Sequence, residues 1–326
     1  MSFTLRHIHL PEDYNQLAML LNSIQPDSVS VEQLQEQDLP VPTDSSLYMD
    51  EAGQLNGYGR ERVVVQNAEG TIIGYGKAWR TPWTSPGSVC SLFCVHPDFR
   101  NQGIGETILA HLENWAKSVG STLLLSELKD WIPASLPFVQ NRGYLLDAHV
   151  VDLALDVTRF DQTKWKHIVI QLQESGIKFL TLADEPTEES ERKLYQLYKD
   201  TLVDNPGFVG DLPDIDEWRK QALPSERTRP DLTFIAADGD QFVGVTTLFT
   251  TDASDVLYTN YTGVRKDYRG RRLALALKIR SIEAAKESGA TRMLTETEAE
   301  NFSMQAVNNK LGYEVGKGTY RIMKQL

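Results

Sequence analysis

Two short segments of this chain combine arginine and glycine at a spacing suited to binding phosphate. In the first segment, Arg100 and Gly103 precede Gly105 in the pattern R-x-x-G-x-G, directly after an apolar run. A helix that begins at such a loop presents unpaired N–H groups and the positive end of its dipole to an anion, and glycine lets the backbone come close. An ordinary capped turn explains the spacing equally well. A P-loop is excluded because the required Gly-Lys-Ser/Thr ending is missing.

The second segment repeats the first at an offset of 169 residues. Residues 93–105 recur in outline as residues 262–274, with Val95 matching Val264 and Arg100 matching Arg269. The same offset relates two later pairs: Ser126 and Glu127 to Thr295 and Glu296, and Gly143 and Tyr144 to Gly312 and Tyr313. Chance similarity would not keep one register over such a stretch, so the chain is interpreted as a tandem duplication.

Each repeat shows the same order of strand and helix patterns. A strand and a helix precede three β-rich runs, and the third run ends at the repeated loop. After the loop, apolar residues at helical spacing predict a helix, with Ile104, Ile108 and Leu112 in the first repeat and Leu273 and Leu277 in the second. The predicted fold class is α/β, with a mixed α+β sheet in each of two tandem domains. The predicted boundaries are 1–157 for the N-terminal domain, 158–176 for a connector and 177–326 for the C-terminal domain.

Two further segments, residues 25–43 and 205–230, are polar and contain prolines. Such composition is typical of loops, so these segments are predicted to be loops or insertions on the substrate side.

Composition narrows the classes of protein. The chain has 326 residues with a net charge of −12, which argues against nonspecific binding of nucleic acid. Neither a transmembrane run nor a signal-peptide pattern is found, so we expect a cytoplasmic protein that does not bind membranes. Cys90 and Cys94 lie in one apolar run and match no common zinc pattern, so no metal site is expected.

The repeated loop resembles the acyl-coenzyme A signature of the GNAT N-acetyltransferase superfamily. Residues 95–105 carry this likeness in the first repeat, and the strand and helix order agrees with it. In the second repeat the likeness extends past the loop to Thr295, Thr297, Asn301, Asn308 and the run Lys310-Leu311-Gly312-Tyr313. The arrangement as two successive domains is similar to tandem acetyltransferases of the mycothiol synthase type.

The resemblance implies acetyl-CoA as cofactor. Its pyrophosphate would contact the backbone N–H groups of residues 102–105 in one repeat and 271–274 in the other. Its pantetheine arm would pair with the strand edge just before each loop. The implied cofactor-binding residues are Phe93, Cys94, Val95, Arg100, Asn101, Gln102, Gly103, Ile104 and Gly105 in the first repeat, and Thr262, Gly263, Val264, Arg269, Gly270, Arg271, Arg272, Leu273 and Ala274 in the second.

The catalytic candidates lie in the second repeat. Asn301 matches the family asparagine near the pantetheine, although a helix N-cap is an alternative role. Asn308 occupies the position of the family's usual tyrosine acid, so proton donation to the thiolate would come from Tyr261, Tyr258 or water. Glu296 is the candidate base, with Glu298 and Glu127 as others; solvated charges at a strand end are the alternative.

Together these features predict an acetyl-CoA-dependent N-acetyltransferase that transfers acetyl to a primary amine by direct attack on the thioester. The alternative is a noncatalytic acyl-CoA sensor or interaction protein with degenerate domains. The intact glycines favour cofactor binding in the first repeat, whereas the family pattern favours catalysis in the second. The expected partner is a small-molecule amine, and the expected state is a monomer or a homodimer.

Overall fold

The computed structural model describes residues 2–25, 28–38, 44–81, 84–205, 212, 214–222 and 228–326. The chain divides into two compact units. The first extends to Asp147 and includes Thr319–Leu326, and the second comprises Ala148–Gly318. None of the helices in these described ranges is long and apolar enough to cross a membrane.

The first unit is built around a mixed sheet with helices on both faces. Its strands are β1 (Phe3–His7), β4 (Gly59–Asn67), β5 (Ile72–Arg80), β6 (Ser88–Val95), β7 (Leu123–Lys129) and most of β14 (Glu314–Gln325), paired in the order β1-β4-β5-β6-β7-β14. A separate hairpin pairs β2 (Tyr48–Met49) with β3 (Leu55–Asn56). The helices are α1 (Tyr14–Asn22), α2 (Val31–Asp38), α3 (Ile104–Ser118) and α4 (Ser135–Gln140).

The second unit has the same design. Its strands pair in the order β8 (Leu145–Asp156), β13 (Arg292–Glu298), β12 (Val256–Val264), β11 (Gln241–Thr250), β10 (Thr228–Asp238) and β9 (Ile177–Thr181). Its helices are α5 (Lys166–Glu174), α6 (Glu188–Leu202), α7 (Ile215–Ala222), α8 (Leu273–Glu287) and α9 (Phe302–Leu311). In each unit one pair of central strands is parallel, β6 with β7 and β12 with β13, and the other pairs are antiparallel. This mixed pairing confirms the predicted α/β class.

The predicted helix after each loop forms and packs on its sheet through the same contact in both units. A Cβ atom added at Gly74 of β5 would lie 2.9 Å from Ile108 Cδ1 of α3, and one added at Gly244 of β11 would lie 2.9 Å from Leu277 Cδ1 of α8. Glycine therefore allows the helix to approach the sheet closely at the equivalent place in each repeat.

The last strand of each repeat lies in the unit formed by the other repeat. Residues 150–156 of β8 pair antiparallel with β13, and residues 319–325 of β14 pair antiparallel with β7. The observed units thus depart from the contiguous boundaries predicted at 157 and 177. The repeat shows which segments are similar, but backbone hydrogen bonds allow either terminal strand to complete either sheet edge. The predicted connector, which contains α5, contributes Phe160, Ile168 and Val169 to the core of the second unit.

The two segments predicted as loops each contain a helix. α2 lies within 25–43 and α7 within 205–230, while residues 26–27, 39–43, 206–211, 213 and 223–227 fall outside the described residues. In α7 the side chain of Trp218 is buried against Tyr195 and Tyr198 of α6, at ring distances of 5.4 and 5.8 Å. One aromatic anchor, with Ile215 packed against the same cluster, stabilises a helix that is otherwise mostly polar, which explains why composition predicted a loop.

Candidate functional site

Each repeated loop contains two residues in the left-handed backbone region, at the same positions in both units. In the first loop they are Asn101 (φ 62°) and Gly103 (φ 84°), and in the second they are Gly270 (φ 76°) and Arg272 (φ 68°). Gly103 and Arg272 are the N-cap residues of α3 and α8. The backbone shape predicted from glycine is therefore present in both loops, and in the second a non-glycine residue adopts it at a steric cost.

The loop arginines hold each loop to the strand before it. Arg100 Nε donates to the Val95 carbonyl at 3.3 Å, and Arg269 Nε donates to the Val264 carbonyl at 3.1 Å. Arg269 also forms an ion pair with Asp204 of the α6 end region, with 2.7 Å between Nη2 and Oδ2. These bonds give the two arginines a structural role that the sequence did not reveal; contact with a phosphate stays a prediction for both.

The second position after the N-cap tolerates alanine as well as glycine. A Cβ added at Gly105 would meet Phe138 at 3.4 Å and Val95 at 3.7 Å, which are ordinary van der Waals distances. Ala274 at the matching place in the second loop therefore preserves the close approach of the helix N-terminus.

The two central parallel strands of each unit pair over a short stretch, which ends at Ser91 and Ser126 in the first unit and one residue earlier along the repeat, at Leu294 of β13, in the second. β12 and β13 pair only from Val256 with Arg292 to Tyr258 with Leu294. At the end of the pairing, Thr295 Oγ1 donates to the Thr259 carbonyl at 3.0 Å, and in the first unit Ser126 Oγ donates to the Ser91 carbonyl at 2.9 Å. A side-chain hydroxyl thus satisfies the last carbonyl before the gap in both repeats.

A β-bulge distinguishes the second unit from the first. The β11–β12 register shifts between Tyr261, paired with Thr247, and Thr259, paired with Leu248, which leaves Asn260 without a partner in β11. The corresponding β5–β6 ladder runs without a shift from Gly74 to Trp79. Bulges free backbone hydrogen-bonding groups and occur often beside active sites.

A cavity of about 430 Å³ lies at the N-terminus of α8 in the second unit. It is bounded by the end of β12, the loop, the end of α6 and one side of α9. Its lining includes most of the residues predicted for the second repeat, namely Tyr261, Thr262, Gly263, Val264, Arg269, Gly270, Arg272, Leu273, Ala274 and Asn301. The sequence did not identify other residues that line it, among them Thr201, Asp204, Met304, Val307 and Lys310.

The charge of this lining is positive. Arg269, Arg272 and Lys310 face one carboxylate, that of Asp204, and only Arg269 is paired with it. Among the described residues, Arg272 and Lys310 have no ion-pair partner. A cavity with this lining favours an anionic ligand, in contrast to the net charge of −12 of the whole chain.

Asn301 both caps α9 and lines the cavity. Its Oδ1 accepts hydrogen bonds from the Met304 N–H at 3.1 Å and from Ser303 Oγ at 3.0 Å. The N-cap alternative is therefore confirmed, and the amide nitrogen of Asn301 is the part of the side chain left for a ligand.

Tyr261 lies in the cavity wall with its hydroxyl already engaged. The hydroxyl donates to Thr201 Oγ1 at 3.0 Å, and the ring stacks on Tyr198 at 5.1 Å. Burial raises the pKa of Tyr261 above its ordinary value, so the phenol keeps its proton at neutral pH. The role of Tyr261 as proton donor stays a prediction.

Two other predicted catalytic residues lie outside the cavity lining. Glu296 is exposed on β13, directly opposite Asp152 of β8, and hydrogen-bonds to Tyr258, whose pKa is raised by burial and then by this carboxylate. Asn308 is fully buried in α9, and neither side-chain amide atom has a hydrogen-bond partner among the described residues. The structure therefore does not bring Asn308 to the cavity, although Val307 beside it does line the wall.

A buried lysine that the sequence did not single out lies under α9. Lys278 of α8 is 1% exposed, and its Nζ lies 5.0 Å from the centre of the Tyr313 ring. Burial lowers the pKa of Lys278 to about 7. Lys278 comes directly after an apolar run in the sequence, and only the tertiary packing shows that its side chain faces the core.

Comparison with known proteins identifies the fold. The family model described as Acetyltransferase (GNAT) family matches residues 28–144 and again residues 191–313. The double match confirms the duplication inferred from the offset of 169 residues.

Two curated relatives match part of the chain. One is the L-amino acid N-acyltransferase MnaT of Escherichia coli (strain K12), 28% identical over 115 residues, which make up 35% of this chain and 65% of that protein. The other is N-alpha-acetyltransferase 30 of Schizosaccharomyces pombe, 28% identical over 95 residues, or 28% of this chain and 63% of that protein. The chain thus spans somewhat under two thirds of the length of each.

Solved structures resemble the whole chain. A GCN5-related N-acetyltransferase from Sphaerobacter thermophilus has a TM-score of 0.71 at 18% identity, covering 99% of this chain and 95% of its own. A tandem GNAT protein from the clavulanic acid biosynthesis pathway has a TM-score of 0.62 at 16% identity, covering 99% and 98%. At these identities the likeness establishes the fold alone.

Proposed function

We propose, since this chain belongs to the acetyltransferase (GNAT) family, that it is an acetyl-CoA-dependent N-acetyltransferase whose acceptor is a small primary amine. Family membership supports acyl-CoA-dependent N-acyl transfer in general. The choice of acetyl-CoA and of a small amine is the proposal made here. The observation that carries it is the positively lined cavity at the N-terminus of α8.

The residues of the second unit fit coenzyme A. The backbone N–H groups of the loop and the unpaired cations Arg272 and Lys310 suit a pyrophosphate, because they combine a helix N-terminus with positive charge. The end of β12, where β13 has separated, offers free backbone to the pantetheine arm. When bound, acetyl-CoA supplies an acetyl thioester that is open to direct attack by an amine.

The chain's own residues then have distinct roles. Backbone beside Asn260 provides hydrogen-bonding groups for the thioester carbonyl, because the bulge leaves them without a partner in β11. Glu296, which lies outside the cavity lining, accepts the proton of an incoming ammonium through a water molecule, and Tyr261 holds a proton for the departing thiolate. The amine nitrogen gains the acetyl carbon, the bond from that carbon to sulfur breaks, and the sulfur takes the proton of Tyr261. The second proton, which the nitrogen loses as the amide forms, returns to the Tyr261 phenolate.

The two units divide this work. Both loops have the backbone shape that suits a pyrophosphate, so both are proposed to bind acetyl-CoA. The bulge at Asn260 and the amide of Asn301 belong to the second unit, and we therefore propose that transfer takes place there.

Release of free thiol in the presence of acetyl-CoA and a panel of primary amines tests the activity. Acetyl-CoA at about a hundred times its dissociation constant should stabilise the fold by about 2.7 kcal/mol per site. Stabilisation without thiol release from any amine would instead support the noncatalytic sensor, for which the buried Asn308 in place of a tyrosine is the favouring observation.

A matched pair of variants tests the division between units. Arg272→Glu and Gly103→Glu introduce the same charge at equivalent N-cap positions. Arg272→Glu should lower kcat/KM by about tenfold or more, since it replaces a cation with an anion at the proposed pyrophosphate site. Gly103→Glu should leave turnover within about threefold. The opposite pattern would assign transfer to the first unit.

A further inference from the structure

The first unit has a cluster of cations on the sheet face opposite α3. Arg60 and Arg62 of β4 lie two residues apart and so point to one face, and Lys77 of β5 is the cross-strand partner of Arg62. Val64 and Tyr75, the next pair on that face, pack with Tyr14 of α1 in one core cluster. The cations therefore lie on the α1 and α2 side, away from the loop that precedes α3.

In the described part of the chain, one carboxylate contacts two of these three cations. Asp38 at the end of α2 binds Arg62 at 2.7 Å and Arg60 at 3.3 Å, and also accepts a hydrogen bond from Tyr14 at 2.8 Å. The principal charges acting on Lys77 are Arg62, Asp38 and Arg60. Among the described residues, Lys77 has neither a hydrogen bond nor an ion pair; its Nζ lies 5.0 Å from the centre of the Trp79 ring. The cluster thus holds two positive charges in excess.

This arrangement costs folding free energy. Like charges directly opposite on neighbouring strands repel each other, and Arg62 and Lys77 are such a pair. Burial and the neighbouring arginine lower the pKa of Lys77.

A second, independent feature points into the same place. The hydroxyl of Tyr58 has no hydrogen-bond partner in the described part of the chain, although only 7% of the residue is exposed. The charges that act on Tyr58 are those of Arg60, Asp38 and Arg62, so this buried donor lies on the arginine side of the cluster. A buried hydroxyl left without a partner costs free energy unless a ligand or water completes its bonding.

We infer that the α1 and α2 face of the first unit carries a binding site for a small oxyanion, a carboxylate or a phosphate group, held by Lys77, Arg60, Arg62 and the hydroxyl of Tyr58. An oxyanion would neutralise the excess charge, and its oxygens would accept the unused donors of Lys77 and Tyr58. The ring of Trp79 forms an apolar wall beside Lys77, so the ligand is a small molecule with an apolar or ring portion next to its anionic group. This site is separate from the residues of the acetyl-CoA proposal and does not depend on that proposal.

Titration of the full chain with inorganic phosphate and with succinate tests the inference, in the presence of saturating coenzyme A so that the two loops are filled. Binding is followed by calorimetry. Lys77→Met should weaken binding of the anion by about tenfold or more, as expected for the loss of one charge-assisted hydrogen bond. Lys77→Arg should bind within about threefold of the unchanged protein because it keeps the charge. Lys117→Met, at an exposed position of α3, is the matched control and should bind as the unchanged protein does.

A chemical readout on the unchanged protein avoids any effect of substitution on folding. Phosphate or succinate at about ten times its dissociation constant leaves roughly one site in ten free and should slow reductive methylation of Lys77 by about tenfold. Methylation of Lys117, measured in the same peptide digest, should be unaffected. Response to phosphate alone or to succinate alone would support the site and assign the anionic group. The inference is overturned if neither anion binds, if Lys77→Met and Lys117→Met act alike, or if neither anion protects Lys77.

Discussion

Gly103 and Arg272, 169 residues apart, hold the same left-handed conformation at the N-caps of α3 and α8. The second loop thus has the same backbone shape without the glycine that makes the shape easy to adopt. An L side chain in this region costs about 1 kcal/mol relative to glycine. Residues held in such a conformation are often functional, and Arg272 contributes a cation to the cavity lining.

Arg272→Gly is expected to raise the free energy of unfolding by about 1 kcal/mol, because glycine relieves the left-handed strain. The same variant should bind acetyl-CoA more weakly, since a cation is lost from the lining. Arg272→Ala removes the cation but keeps the strain, so it should weaken binding with no gain in stability. Denaturant titration and calorimetry measure the two effects; equal stability of the glycine and alanine variants would contradict the account of strain.

Asn301→Ala should lower stability by about 1 kcal/mol because α9 loses its N-cap hydrogen bond. Asn301→Asp keeps an oxygen acceptor for the Met304 N–H but loses the amide donor. It should therefore keep the stability and still lose activity, which thermal unfolding and the thiol-release assay measure side by side. Full activity in Asn301→Asp would show that Asn301 acts as a cap alone.

Lys278→Met should stabilise the second unit, most strongly at low pH. The folded-state pKa of about 7 lies below the unfolded value of 10.5, so the folded state binds fewer protons between these limits. Stability of the unchanged protein should therefore rise as pH increases from about 7 toward 10.5, and the penalty should be largest below 7.

The methionine variant should lack this rise and should be more stable by about 1–4 kcal/mol below pH 7, the range seen when buried charges are replaced by apolar residues. Denaturant titrations between pH 6 and 9.5 measure it, with Lys117→Met as the exposed control. An unchanged pH slope in Lys278→Met would mean that Lys278 is not the titrating group.

Asp204→Asn should tighten acetyl-CoA binding about two- to fivefold, because it removes a carboxylate from the lining and releases Arg269 from its ion pair. Asp200→Asn is the matched control: it breaks the equivalent pair with Arg265, at 2.8 Å, and Asp200 does not line the cavity. Calorimetric titration distinguishes them. Equal effects of the two substitutions would assign the change to overall charge and not to Arg269.

Much of the local structure could be predicted because it depends on neighbours in sequence. The helices that follow the loops, such as α3 from Ile104, were readable from apolar spacing, and Gly103 indicated a tight turn at its start. α7 escaped prediction because its stability rests on Trp218 packing against α6, a contact that no local pattern encodes.

The candidate site was predicted in part, for a similar reason. Residues of one continuous loop, such as Arg272 and Ala274, line the cavity as expected, since the loop carries them there together. Thr201 of α6 and Asp204 just after that helix line the wall, well before the loop in sequence, and no motif connects them to it. In α9, Val307 faces the cavity whereas Asn308 is buried away from it, because successive helical residues point about 100° apart.

The sequence by itself determined that one fold is used twice and that each copy has a loop able to receive an anion at the start of a helix. Only the tertiary structure decided which sheet each last strand joins, where β12 bulges and which charges meet at Lys77 and at Arg272. The physical reason is that a repeat and a periodicity record neighbours along the chain. Charge, burial and strand pairing depend on neighbours in space, and these come together only when the chain has folded.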